Sequence, residues 1–362
     1  MNIRYVAYGV SIITVRSLSY TFNVMKKLYI LIAIIAGAFN ANAQGWAKSI
    51  TPGAATNVYH NFTFDNSNNP VVIGGAAEIS GGGQPLVFMK FDKQTGSRTL
   101  LKRYNGRTNA ESYKLHTDAQ GNTYFFGTFM DYIAFGNDTV YTYDRMYWNR
   151  ANFILIKFDK DGNRIWSKKF GQKFLTQLNN IVDAHFTENA FHVVISYASD
   201  SVFHDNTFLE KLPSTSVNSG NYCFSKINLS DGSLHTFKRL EGHANSDVKL
   251  FAVKENNTYE FGTMLSDGNR KFVVYSFTDN TNLTVKCSTV ITAYNTSTGH
   301  DLEQGVWLNG HYYLLVVNTS GGGASIYNGD TVMTLDSPHN LRTGILMKFD
   351  STFELKGHVR FH

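Results

Sequence analysis

The chain has 362 residues, 43% hydrophobic and 17% charged, a globular composition that excludes intrinsic disorder. Its net charge is +5, but Arg4, Arg16, Lys26 and Lys27 precede the first acidic residue, Asp65, and account for all but one unit of it. The rest of the chain carries no clustered basic face, so no nucleic-acid partner is expected.

Residues 25–44 read MKKLYILIAIIAGAFNANAQ. Lys26 and Lys27 form a positive segment, residues 28–39 an apolar one, and Ala41-Asn42-Ala43 a small-residue cleavage site before Gln44. This pattern predicts a secretory signal peptide over residues 25–43, cleaved after Ala43, and hence a secreted or cell-surface protein. Twelve apolar residues fall short of the roughly 20 that span a bilayer, so no transmembrane span is expected. No cysteine follows the cleavage site to carry a lipid anchor. Residues 1–24 precede the better start at Met25, as an overcalled or extended N-terminus, and stand outside the fold. The remaining chain has only Cys223 and Cys287; two free, partly buried thiols are expected, with one disulfide as the alternative.

Aromatic residues make up 14% of the chain, with 27 Phe and 20 Tyr against 5 Pro, which favours pleated, half-buried surfaces and an all-β fold. From residue 45 the chain repeats. NFTFDNSNNPVVIGG (61–75) returns as LHTDAQGNTYFFGT (115–128), AHFTENAFHVVISY (184–197), LFAVKENNTYEFGT (250–263) and VWLNGHYYLLVV (306–317). Turn residues such as Gly121-Asn122, Glu188-Asn189 and Asn309-Gly310 separate apolar runs, which is a hairpin signal. A second hairpin comes after each: VFMKFDKQTGSRTLLKRYNG (87–106), KFDKDGNRIWSKKFG (157–171), CFSKINLSDGSLHTFKRLEG (223–242), the weaker VVYSFTDNTNLTVKCSTV (273–290), and LMKFDSTFELKGHVRFH (346–362). Three units carry a related insertion between the hairpins: IAFGNDTVYT (133–142), SVFHDNTFLEK (201–211) and SIYNGDTVMT (325–334).

Each unit therefore holds four strands, and repeated four-stranded antiparallel sheets build a β-propeller. The expected architecture is one domain, residues 44–362, with five blades at about 45–106, 107–171, 172–242, 243–296 and 297–362. The outer-strand type occurs six times, from GWAKSI (45–50) to GHVRFH (357–362), but the other three only five times. One strand is surplus to simple closure, so the ring is either closed by a terminal strand or incomplete.

The pattern of Asp118, Gly121, Asn122, Tyr124 and Gly127, followed by K-F-D-x-x-G-x-x-x-W, resembles the SBBP-type β-propeller repeats of secreted bacterial proteins, often ones exported by the type IX route. Residues 107–171 match best, while Ser196 replaces the glycine in the third unit. The resemblance implies an extracellular propeller to which no general catalytic activity attaches. The sorting domain in which type IX members often end is not found in this sequence.

Several motifs suggest chemistry, and each has a plainer reading. Asp159, Asp161 and Asn163 occupy the first offsets of a calcium loop, but Arg164 stands where glycine is required and Phe170 where glutamate is. The carboxylates are not kept in the equivalent turns, so a turn is expected. The same stretch is a near match to the sialidase Asp box and to the tryptophan-docking repeat of quinone-dependent dehydrogenases, both weakly. His185 and His192 face each other across a hairpin if Glu188-Asn189 is its loop, but no third zinc ligand accompanies them. The glycine runs at 80–83 and 320–323 lack the following helix that a phosphate loop needs. No metal and no cofactor is expected.

The most distinctive segment is YTYDRMYWNR (141–150). Tyr141, Tyr143, Tyr147, Trp148, Asn149 and Arg150 combine aromatic faces with hydrogen-bonding groups, which suits a sugar or a protein hot spot. Carboxylate pairs for glycosidic chemistry cannot be assigned among Asp118, Asp183 and Asp247. The expected function is a secreted binding or surface-structural module, with an extracellular glycan or protein partner met by inter-strand loops. The alternative is a glycan-active enzyme on the same scaffold. The oligomeric state is not legible.

Overall fold

The computed structural model describes residues 60–75, 85–107, 112–143, 151–171, 180–197, 201–211, 221–240, 248–254, 257–266, 270–293, 300–318, 324–328, 331–335 and 343–361. The first sheet holds β1 (His60–Phe64), β2 (Pro70–Gly75), β3 (Leu86–Phe91) and β4 (Arg98–Tyr104). Next come β5 (Gly106–Arg107), β6 (Ser112–Thr117), β7 (Thr123–Phe135), β8 (Asp138–Tyr141), β9 (Ala151–Phe158) and β10 (Arg164–Gly171). The third unit holds β11 (Asn180–Phe186), β12 (Ala190–Tyr197), β13 (Ser201–His204), β14 (Thr207–Lys211), β15 (Asn221–Asn228) and β16 (Leu234–Arg239). The fourth holds β17 (Val248–Val253), β18 (Thr258–Ser266), β19 (Arg270–Thr278) and β20 (Thr284–Ala293). The fifth holds β21 (His300–Leu308), β22 (His311–Asn318), β23 (Ala324–Asn328), β24 (Thr331–Leu335), β25 (Thr343–Phe349) and β26 (Leu355–Phe361).

Five four-stranded antiparallel meanders result: β1-β2-β3-β4, β6-β7-β9-β10, β11-β12-β15-β16, β17-β18-β19-β20 and β21-β22-β25-β26. Their first strands lie side by side in the order β1, β6, β11, β17, β21. Successive sheets stack face to face, which is β-propeller architecture. Alternation along each strand explains the apolar runs. In the second sheet Phe125, Phe129, Ile154, Ile156 and Phe158 pack onto Val71, Ile73 and Phe88 of the first. The intervening Tyr124, Phe126, Phe153 and Leu155 pack onto Phe191, Val193 and Ile195 of the third. Both faces are buried, so the strands read as continuous rather than alternating hydrophobic segments. Cys223 is a free thiol buried in the second of these cores. No helix among the described residues is long and apolar enough to cross a membrane.

The acidic turns hold themselves together. Asp159 Oδ1 accepts from the backbone N–H of Asp161 (2.9 Å) and Asn163 (2.7 Å), and its Oδ2 accepts from Asn163 Nδ2 (2.7 Å). Asp118 repeats the arrangement with Gln120 and Asn122, and Asp65 with Ser67 and Asn69. Burial opposes ionisation of Asp118 and Asp159, yet these hydrogen bonds outweigh it and hold both below the usual carboxylate range. The Asp159 cluster is a turn of this kind.

Gly162 in that turn has φ +74°, and a β-carbon there would stand 2.9 Å from the Phe88 ring of the first sheet. Gly136 has a similar φ of +66° but open space around it. Gly162→Ala should cost about 1–3 kcal/mol for the left-handed backbone alone, and more for displacing Phe88. Urea unfolding should show a larger loss for Gly162→Ala than for Gly136→Ala. Equal losses would mean Phe88 yields freely.

The three insertions share one placement. The second unit's insertion, the end of β7 with β8, pairs with β5, which comes after the first sheet's outer strand. The hairpin β13–β14 pairs with β10, the outer strand of the second sheet, through Phe170↔His204 and Gly171↔Phe203. Likewise β23–β24 pairs with β20 of the fourth sheet along Val290↔Tyr327 to Ala293↔Ala324. Each insertion is thus a strap laid back onto the preceding unit. Asp205, at the tip of the second strap, is anchored by Lys168 Nζ (2.9 Å) and the Lys169 N–H (3.1 Å).

Candidate functional site

The turns of the third and fourth sheets meet around an open cleft of about 390 Å³. Residues 187–190 between β11 and β12 form one wall, Lys226, Asn228 and His235 another, and Lys254 and Asn257 the fourth-sheet side. The volume is that of a small-molecule site. Its position comes from the repeat, because every unit brings both of its hairpin turns to the same end of the sheet.

His192 stands opposite His185 on the hairpin, as expected from the two-residue loop. The two differ in burial: the His185 side chain is 31% exposed, whereas His192 is only 2% exposed. Tyr259 of the fourth sheet covers it, 5.4 Å from its ring, with Phe224 of its own sheet at 6.3 Å. Burial, reinforced by the nearby Lys226 charge, pushes the imidazole pKa down to about 4. Thr187 Oγ1 donates to the Ala190 carbonyl (3.1 Å), so the 3.3 Å contact between His192 Nε2 and that oxygen assigns the ring proton to Nε2. Nδ1 is then a buried acceptor without a hydrogen-bond partner.

Lys226 sits directly across from His192 on β15 and donates to Asp279 Oδ2 (2.8 Å) and Asn257 Oδ1 (3.2 Å). Units one, two and five also keep a lysine at this position, with Lys90, Lys157 and Lys348 opposite Val71, Tyr124 and Tyr313. The fourth unit departs from this. Ser276 replaces the lysine, and its partner is Glu260, 2% exposed.

Two lysines answer that carboxylate, Lys254 from the turn after β17 and Lys286 from β20. Lys254 Nζ is 2.7 Å from Oε2 and Lys286 Nζ is 2.7 Å from Oε1. Both also donate to the Tyr312 hydroxyl (2.9 Å each), which itself donates to Glu260. Lys254 lies 3.5 Å from the Trp307 ring centre, a cation–π contact. Burial opposes ionisation of Glu260, but the hydrogen bonds from Lys254, Lys286 and Tyr312 outweigh it and keep its carboxyl low. Burial likewise lowers the Lys254 pKa, against the pull of Glu260.

The aromatic segment falls only partly within the described residues. Tyr141 is 38% exposed at the end of β8. Tyr143 packs inward: its hydroxyl donates to the Lys169 carbonyl (3.2 Å), and its ring lies 5.4 Å from Phe203 of the strap. Burial, then Asp205, raises its pKa. Tyr147, Trp148, Asn149 and Arg150 lie outside the described residues. Asp118 is committed to its own turn, and Asp183 bonds the Ala184 N–H (2.7 Å) and His185 (3.1 Å), while Asp247 is outside the described residues. Among the described residues no group of three or more His, Cys, Asp or Glu could hold a metal ion.

The fold defines a β-propeller protein of four-stranded blades. No protein-family model matches the chain, and no curated protein matches it. Among solved structures it is similar to an acylaminoacyl peptidase of Pyrococcus horikoshii, at 10% identity and a TM-score of 0.38 over 84% of this chain and 52% of that one. It is also similar to the β-propeller domain of the trilobed protease from Pyrococcus furiosus, at 6% identity and a TM-score of 0.36 over 84% and 98%. A third is an N10 neuraminidase-like protein of a little yellow-shouldered bat influenza virus, at 11% identity and a TM-score of 0.37 over 87% and 96%. The chain spans about half the length of the P. horikoshii peptidase.

Proposed function

We propose that the chain is a secreted β-propeller of the SBBP-repeat kind that works as a binding or surface-structural module without catalysis, its contacts made by inter-strand turns and loops. The observation that carries this reading is the polar cleft built from the turns of two adjacent sheets, with amide, imidazole and ammonium groups around it. The carboxyls among the described residues whose acidity is clearly displaced fit this reading. Asp65, Asp92, Asp118, Asp159, Asp231, Glu260, Asp279 and Asp350 are all displaced downward. A general acid in a glycosidase needs a carboxyl displaced upward. Export rests on the 25–43 segment, and the partner is an extracellular glycan or protein.

The test is to express the protein from Met25, recover it from the medium with Gln44 as first residue, and apply it to a glycan array and to surface-protein pull-downs. Binding without release of reducing ends is expected. Trp148→Ala and Tyr147→Ala report whether the aromatic loop contributes. Release of reducing ends from a bound glycan would replace this reading with the glycan-active enzyme.

A further inference from the structure

We propose that the outward face of the fifth sheet, the one turned away from the fourth, is the contact surface of a two-fold homodimer. Two copies of the chain pack these faces together, with the Lys348 ammonium of each set against the 350–356 turn of the other. This goes beyond the binding function above and does not depend on it. Three observations support the assignment.

The first is an apolar face left open. The second, third and fourth sheets are packed on both faces. The fifth is packed on one, where Tyr312, Leu314, Ile345 and Met347 meet Phe272 and Val274 of the fourth. Val306, Leu308, Tyr313, Leu315, Leu346 and Val359 alternate with that set and share the other face, through the pairs Val306↔Tyr313, Leu315↔Leu346 and Leu346↔Val359. Val306 is 44% exposed, Leu308 54% and Val359 55%. Apolar side chains exposed singly are ordinary, but a contiguous patch of them marks an interaction site. The chain's own first sheet does not cover this one. Val72, Val87, Met89 and Phe91 on its remaining face are already buried, in a cluster that holds no residue of the fifth sheet.

The second is an unanswered lysine on that face. Lys348 lies across from Tyr313, two residues on from Leu346. Its counterparts in the second and third units reach the second-hairpin turn of the sheet stacked next to them. Lys157 Nζ donates to the Leu229 carbonyl (3.3 Å), and Lys226 Nζ donates to Asp279 (2.8 Å). Among the described residues the Lys348 ammonium meets the Tyr313 ring, 6.0 Å from its centre, and no carboxylate or carbonyl. A sheet stacked on the fifth in the same way brings an acceptor turn to it.

The third is that the fifth sheet carries its own complement. Lys356 is shared by Asp350 (3.0 Å) and Glu354 (2.6 Å), so the turn holds two carboxylates for one ammonium. With Lys348 these are the charged groups among the described side chains of the sheet, beside the imidazoles of His311, at the rim of the open face, and His358, paired with Met347 of the packed one. The one negative charge in excess at the turn matches the one positive charge unanswered on the face. A two-fold axis parallel to the strands lays one open face on the other about 10 Å apart, with both turns at the same end. Each Lys348, two residues before Asp350, then stands beside the turn of the other copy. A different protein would have to reproduce this balance, which a second copy supplies.

The test is sedimentation velocity of the purified protein over about a hundredfold range of concentration, where a dimer that dissociates on dilution is expected. Lys348→Glu sets a carboxylate against the acidic turn, and Glu354→Lys makes the turn a surplus cation facing Lys348. Each variant, and Val359→Lys in the apolar patch, should weaken self-association at least tenfold. Mixed in equal amounts, Lys348→Glu and Glu354→Lys should form a heterodimer, because each face then meets a turn of opposite charge. Should a variant fail to fold, carbodiimide cross-linking of mixed ¹⁴N and ¹⁵N wild-type protein decides: Lys348 of one isotope should join Asp350 or Glu354 of the other. A dimer indifferent to Lys348→Glu and Val359→Lys, assembly that grows past two copies, or a mixture of variants that stays monomeric would each overturn the two-fold assignment. A wild-type monomer at every concentration would overturn it too, and protection of β21 and β26 from hydrogen exchange in that monomer would give the face to another segment of this chain.

Discussion

Glu260→Gln lowers the unfolding free energy by about 3 kcal/mol, the lower end of the cost of removing one partner from a buried ion pair. The substitution keeps the shape of the side chain and removes only its charge. Lys254 and Lys286 are then left facing each other across a neutral amide, both still hydrogen-bonded to Tyr312. The lower end applies because the lysine side chains are 16% and 27% exposed and can turn part of their charge to water. The carboxyl lies below its ordinary value of 4.5, so its contribution is present above that pH and is lost as pH falls through the folded value. Glu260→Gln combined with Lys254→Met removes one charge of each sign, and more than half of the lost stability should return. Urea unfolding of the two single variants and the double variant measures the coupling. Additive losses would mean that the lysines are already solvated and that the network does not join the fourth and fifth sheets.

The repeat was legible because its signal is local. The hairpins around Gly121-Asn122, Glu188-Asn189 and Asn309-Gly310 each lie within a dozen residues, where apolar periodicity and turn chemistry act together. The Asp159 turn was legible for the same reason, since its hydrogen bonds stay within four residues. The straps were only half legible. GNDT at 136–139 and HDNT at 204–207 read as related insertions, but their docking onto the preceding unit did not. That docking is made of backbone pairs such as Phe170↔His204, and backbone hydrogen bonds leave little trace in side-chain identity. The cleft was the least legible part. His192 stands out in the sequence through its hairpin partner, whereas the Tyr259 ring that covers it belongs to a sheet some 65 residues further on. Glu260 does carry a signal in the sequence: a charged residue inside TYEFGT, at a position held by Val71, Tyr124, His192 and Tyr313 in the other units.

Acid should destabilise the protein through His192 well above the pH at which carboxylates titrate. In the folded protein the imidazole stays neutral down to about pH 4, while in the unfolded chain it takes a proton near 6.5. Between those values the unfolded state binds more protons, so stability falls as pH drops from 6.5 toward 4 and is unaffected above. The full difference comes to about 3 kcal/mol for this one group. Burial lowers His116 and His204 as well, and their contributions run in the same direction. His192→Phe isolates the term. The ring keeps its place beside Tyr259 and Phe224 but has nothing to titrate, and the unpaired Nδ1 disappears with it. The variant should therefore lose about 3 kcal/mol less than the wild type between pH 7.5 and pH 4, measured by urea unfolding at each pH. Parallel losses in the two proteins would mean that His192 reaches water in the folded state, and the closed packing of the third sheet on the fourth would have to be given up.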